Sequence, residues 1–126
     1  LTGAVACAAE DNQTAGLVSV ELSEWEVQLP DVSIQAGEVR FSVRNRGVIA
    51  HEVVVARTNL ASGSLPVSGG MVDLDSDLEL IGEIEEVAAG ATSNGSFELA
   101  PGDYVVFCNL VGHYTQGMHA LLRVGG

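Results

Sequence analysis

The stretch Cys108-Asn109-Leu110-Val111-Gly112-His113-Tyr114-Thr115-Gln116-Gly117-Met118 brings a thiol, an imidazole and a thioether together within eleven residues. A second imidazole, His51, lies far upstream at the end of Asn45-Arg46-Gly47-Val48-Ile49-Ala50. One Cys, two His and a weakly held Met form the ligand set of a trigonal electron-transfer copper site. Soft sulfur donors favour Cu(I) and imidazole suits Cu(II) as well, so the set tolerates both oxidation states.

The flanking sequence alternates with the two-residue period of strands. Tyr104–Cys108 reads as a strand ending at Cys108, and Met118–Val124 reads as the closing strand. The residues between them therefore make one loop at a sheet edge, short enough to aim several side chains at one point. His51 opens the run Glu52-Val53-Val54-Val55-Ala56, whose β-branched residues suit an interior strand. Val39, Phe41 and Val43 alternate with Arg40, Ser42 and Arg44, the pattern of a strand with one wet face.

Further strands are expected at 17–22, at Trp25, Val27 and Leu29, and at Ser93–Leu99. Leu80–Val87 suits a strand or a short helix. The apolar parity changes at Ser23-Glu24, which predicts a bulge or bend there. Residues 58–79, rich in Ser, Gly, Pro and Asp, read as a long connection. About seven or eight short strands separated by turns predict an all-β chain folded as one antiparallel Greek-key β-sandwich domain. Residues 1–16 lack apolar periodicity and read as a tether or signal remnant, leaving 17–126 as the copper-binding domain.

The net charge of −12, with five Arg and no Lys, leaves no basic patch for nucleic acid or for anionic membranes. A basic protein partner, a salty habitat or plain solubility would each account for the acidity. Of the two cysteines, Cys7 follows Leu1-Thr2-Gly3-Ala4-Val5-Ala6, which resembles the tail of a secretory signal with a bacterial lipoprotein acylation box. On that reading Cys7 is a lipid anchor, the membrane is reached only through it, and the protein is extracytoplasmic. An idle thiol at Cys7, or a disulfide with Cys108, is the alternative.

Asn45-x-Gly47-x3-His51, Ala100-Pro101-Gly102-x-Tyr104-x2-Phe107-Cys108 and Gly112-His113-Tyr114-x2-Gly117-Met118-His119 together resemble the cupredoxins, the small type 1 blue copper family. The resemblance covers about residues 17–124, and the Cys-x4-His-x4-Met spacing is similar to that of the rusticyanin and sulfocyanin members. It implies one copper held by His51, Cys108 and His113, with Met118 as a long axial ligand, and a one-electron carrier acting outside the cytoplasm. It also implies redox protein partners, such as a basic cytochrome c or a membrane oxidase, meeting an apolar edge formed by Leu110, Val111, Gly112 and Val48. Around the ligands, Asn45 would brace the His51 loop or sit in a turn. The backbone N–H groups of Glu52 and Leu110 would donate to the Cys108 sulfur, and Asn109 lies beside it. Two departures leave the redox potential open: Val111 stands where many relatives have Pro, and Glu52 where several have Asn or Ser.

Competing readings of the same residues are weaker. A Cys108–His113 nucleophile pair lacks an orienting third group. Zinc rarely takes a Met ligand, and a binuclear copper centre needs a second loop cysteine that 109–116 does not contain. A four-ligand set also leaves little room for a substrate, so the protein is not expected to be an enzyme by itself. Copper storage or delivery, or an electron-donor module of a larger copper enzyme, are the functional alternatives. His119 alternates away from Met118 and is expected at the surface or behind the ligands. Met71 and Trp25 are expected to pack in a loop and in the core.

Overall fold

Alternating apolar and polar residues build the strands, and the faces they bury define the core. The computed structural model describes residues 13–14, 16–31 and 33–126. In chain order the strands are β1 (Gln13–Thr14), β2 (Leu17–Ser23), β3 (Glu26–Gln28), β4 (Ser33–Gln35), β5 (Gly37–Asn45), β6 (His51–Arg57), β7 (Val67–Ser68), β8 (Met71–Val72), β9 (Glu79–Val87), β10 (Thr92–Leu99), β11 (Gly102–Phe107) and β12 (His119–Gly125). One helical turn, α1 (His113–Gln116), interrupts the loop before β12. Of the expected tether or signal remnant, residues 1–12 and 15, Cys7 among them, lie outside the described residues, whereas Gln13–Thr14 pair with Ser33–Ile34 at a sheet edge.

Two sheets face each other, one ordered β1-β4-β12-β11-β6-β9 and the other β10-β5-β2-β3. Their inner faces meet in one core that includes Val18, Val20 and Leu22 from β2 and Val39, Phe41 and Val43 from β5. Val53 and Val55 of β6, Tyr104 and Val106 of β11, and Leu122 and Val124 of β12 face them. Burying each such Val, Leu or Phe contributes roughly 1.5–3 kcal/mol, which is what keeps the sheets in register. The all-β sandwich is as expected, but it is mixed rather than purely antiparallel: β2 runs parallel to β5, and β12 parallel to β4. The cause is topological. Between β2 and β5 the chain crosses to the opposite sheet to form β4, so it returns to its starting sheet in the same direction.

The segment 58–78 is more than a connection. It carries the β7–β8 hairpin and covers the outer face of the six-stranded sheet, where Val54, Ala56, Val105 and Phe107 pack against Leu65, Val72 and Tyr114. Both faces of β6 and β11 are thereby buried, which explains the unbroken apolar run from Val53 to Ala56. The segment from Leu80 to Val87 resolves as a strand because it pairs with β6, with irregular register at two points.

Tyr104 anchors the corner into β11: its buried ring fills the core while its hydroxyl donates to the Ala100 carbonyl at 2.6 Å. Replacing it by Phe strands that carbonyl and should cost about 1 kcal/mol. Urea unfolding would show this as a lower midpoint at unchanged slope, and an unmoved midpoint would show that the bond contributes nothing.

Candidate metal centre

The site forms where β6 begins and β11 ends. These strands pair antiparallel from Tyr104–Arg57 to Phe107–Val54, and the pairing stops there. His51 lies past the last pair on one strand, and Cys108 follows directly on the other. The β6–β9 ladder also shifts register between His51 and Val53. The Glu52 N–H donates instead to Cys108 Sγ at 3.4 Å. A second donor, the Leu110 N–H, reaches the same sulfur.

The Cys108–Met118 loop folds back in a single turn. Gly112 begins it at φ 83°, and Gly117 ends it at φ 127°, conformations that favour glycine. The Met118 carbonyl accepts from the Cys108 N–H at 3.1 Å, closing the loop at its base. His113 is thereby turned toward Cys108. Its Nδ1 lies 3.4 Å from Cys108 Sγ and 3.1 Å from His51 Nδ1, while Cys108 Sγ and His51 Nδ1 are 3.9 Å apart.

Donors sharing a first-row ion at about 2.0–2.3 Å stand roughly 3–4 Å from one another, so the three atoms fit a common ion. Cys108 and His51 are fully buried and His113 is half-buried. Met118 is also fully buried and packs in the core cluster that contains Cys108. The residues thus fit copper, with soft and borderline donors converging at the edge of an apolar core.

The electrostatics prepare the donors. Burial pushes the Cys108 thiol above its ordinary range, partly offset by the hydrogen bonds from Glu52 and Leu110, so metal binding displaces a proton there. Burial, reinforced by neighbouring His51, lowers His113 and so favours the neutral form that a ligand needs. The Glu52 carboxyl does not point freely outward. It is half-buried, raised by burial and by Glu83, and accepts a hydrogen bond from the Asn109 N–H.

The surrounding residues act as braces. Buried Asn45 donates to the carbonyls of Ile49 and Val87 at 2.8 and 2.9 Å and accepts from the Gly47 N–H at 2.8 Å. Three bonds from one amide thus shape the loop that delivers His51, so Asn45 is a brace and not merely a turn residue. Asn109 pairs with both backbone groups of Val72, at 2.7 and 3.2 Å, and ties the β7–β8 hairpin to the ligand loop. His119 lies apart from the donor cluster, with Nδ1 3.0 Å from Ser62 Oγ and its ring tilted on Tyr114.

Two residues at the site escape the sequence reading. Trp25, expected in the core, is 40% exposed and meets the His113 ring edge-on at 5.0 Å and the His51 ring at 6.4 Å. Glu24 places Oε2 2.5 Å from His51 Nε2, and its Oε1 accepts from the Val48 N–H at 3.0 Å. These contacts, that of Val48 first, hold the Glu24 carboxyl below its usual range. The signal was the parity break at Ser23-Glu24: the strand turns there and lays two side chains on the site.

The family model described as copper binding proteins, plastocyanin/azurin family, matches residues 15–125. The chain belongs to that family, the cupredoxins. No curated protein matches it in sequence. Among solved structures it is similar to a dithionite-reduced auracyanin from the photosynthetic bacterium Roseiflexus castenholzii, with TM-score 0.67 and 17% identity over 88% of this chain and 98% of that one. It is also similar to an azurin from the methylotroph Methylomonas sp. strain J, with TM-score 0.65 and 16% identity over 87% and 98%. Rusticyanin from Thiobacillus ferrooxidans aligns with TM-score 0.62 and 13% identity over 98% and 84%. At such identities these likenesses speak for the fold alone.

Asn45→Ala should remove the brace and destabilise the metal-free protein by about 2–3 kcal/mol, because buried carbonyls lose their donor. Chemical denaturation measures this, and a loss below about 0.5 kcal/mol would assign the loop's shape to its backbone alone.

Proposed function

We propose that this blue copper protein is a one-electron carrier working outside the cytoplasm. The observation that carries the reading is the buried cluster of His51, Cys108 and His113, whose donor atoms all lie within 4.8 Å of one another. His51, Cys108 and His113 would hold the ion and Met118 would be the weak fourth ligand. Bound copper supplies a one-electron couple between Cu(I) and Cu(II).

The chain's own part is rigidity. His51 and Cys108 sit at the ends of strands buried on both faces, and the ligand loop is closed at its base. Such donors move little when the charge between them changes, which keeps electron exchange fast. The same features support a carrier over an enzyme, because a buried donor set of this kind leaves little room for a substrate.

Electrons would pass through the edge around His113. Val48 and Val111, 83% and 68% exposed, lie on the loops that carry His51 and His113, and Trp25 borders the His113 ring. A small apolar edge on an acidic protein suits brief encounters with a redox protein of opposite charge, such as a cytochrome c. Among the described residues no helix is long and apolar enough to cross a membrane. Lipidation at Cys7 would supply attachment to the outer face of one.

Titration with one equivalent of Cu(II) tests the site. An intense thiolate-to-copper absorption band with narrow copper hyperfine splitting in EPR is expected, and it should vanish in Cys108→Ser. A weak spectrum of tetragonal copper would overturn the electron-carrier reading. Val111→Lys should leave that spectrum intact while slowing electron exchange with a redox protein severalfold. Unchanged rates would place electron entry elsewhere.

A further inference from the structure

The Glu24 carboxylate reaches across 27 residues of sequence to a candidate ligand ring. His51 is fully buried, while Glu24 is about one-fifth exposed, so the carboxylate approaches from the rim and stops at the imidazole's outer nitrogen. His51 Nδ1, on the other side of the ring, faces Cys108 and His113. A ring that gives its Nε2 proton to an acceptor presents an unprotonated Nδ1 to a metal.

The surroundings fit the carboxylate closely. Its second oxygen is held by the Val48 N–H. Any Cβ at position 47 would collide with the Glu24 carboxylate carbon and both its oxygens, so Gly47 leaves the space in which that carboxylate sits. Asn45 holds the Gly47 N–H and fixes the same turn. Three features of one turn, the Asn45 side-chain brace, the bare Gly47 and the Val48 N–H donor, thus converge on one side chain that binds one ring.

We propose that Glu24 is a positioning residue of the metal centre: it selects the His51 tautomer, orients the ring, and favours Cu(II) over Cu(I) through its negative charge. This rests on reading the cluster as a copper site. The charge argument is Coulombic. A carboxylate bonded to a ligand imidazole raises the ligand's basicity and stabilises the more positive ion more strongly. Its effect on potential is therefore downward.

The test uses Glu24→Gln and Gly47→Ala separately and together. Glu24→Gln removes the charge, and its single carbonyl oxygen can accept from His51 or from Val48 but serves both poorly. Gly47→Ala leaves Glu24 in the sequence but displaces its carboxylate. Each should weaken Cu(II) binding about 10–100-fold, lose less Cu(I) affinity, and so raise the reduction potential. A tenfold larger loss for Cu(II) than for Cu(I) corresponds to about 59 mV. Because both act on one contact, the double variant should fall well short of the sum.

In the metal-free protein, imidazole 15N shifts should report His51 as the Nε2–H tautomer in the native chain and as a mixture in either variant. A potential that stays the same or falls in Glu24→Gln, with an unchanged tautomer, would overturn the proposal. If Glu24→Gln does not fold, Gly47→Ala and Glu24→Asp decide the matter by the same readouts. A native protein without a type 1 spectrum would sink the copper reading itself. A native type 1 spectrum with unaltered variants would sink only the role of Glu24.

Discussion

The antiparallel pairing of β6 with β11 is the constraint on which the site depends. It brings together two residues far apart in sequence, and its early end leaves the Glu52 N–H free to meet the Cys108 sulfur. Because the inner core and the 58–78 segment bury both faces of this pair, a one-residue slip would exchange the side chains packed in the two layers and lose the fit of both. The positions of His51 and Cys108 are therefore a by-product of packing that would be needed in any case. The loop carrying His113 and Met118 is shaped separately, by two glycines and a short turn, and the loop leading into His51 by the Asn45 amide.

Polar burial is confined to the same end of the sandwich. Among the described residues the buried polar side chains outside the tyrosines and Cys108 are Asn45, His51 and Asn109. All three are at or beside the donor cluster, and all three are hydrogen-bonded. An unpaired buried amide costs about 1–3 kcal/mol, so each of these groups specifies one arrangement of its loop. Among the described residues the rest of the interior is apolar apart from the hydrogen-bonded hydroxyls of Tyr104 and Tyr114. Stability and site shape are thus largely supplied by different residues, with Cys108 and Met118 belonging to both.

Much of this was legible in the chain. Cys108, His113 and Met118 are close in sequence, so their spacing alone marks them, and the alternation of Val39, Phe41 and Val43 marks a half-buried strand. What escaped depends on partners distant in sequence. The parallel pairing of β2 with β5 follows from where β4 goes, and three-residue β4 carries too few residues to show a period. The β7–β8 hairpin is written in two-residue strands among turn residues. Trp25 looks like a core residue because large aromatic residues usually are buried. Its place at the surface follows from the turn at Glu24-Trp25, where alternation no longer says which way a side chain points.

The chain has one tryptophan, Trp25, and it stands against the ring of His113 and near that of His51. A lone indole at that distance makes the protein its own optical probe. Its ultraviolet emission comes from a single known position, so changes in intensity and wavelength can be attributed to the donor cluster rather than averaged over the molecule. Loading, oxidation state and the approach of another protein to that edge can then be followed without a label.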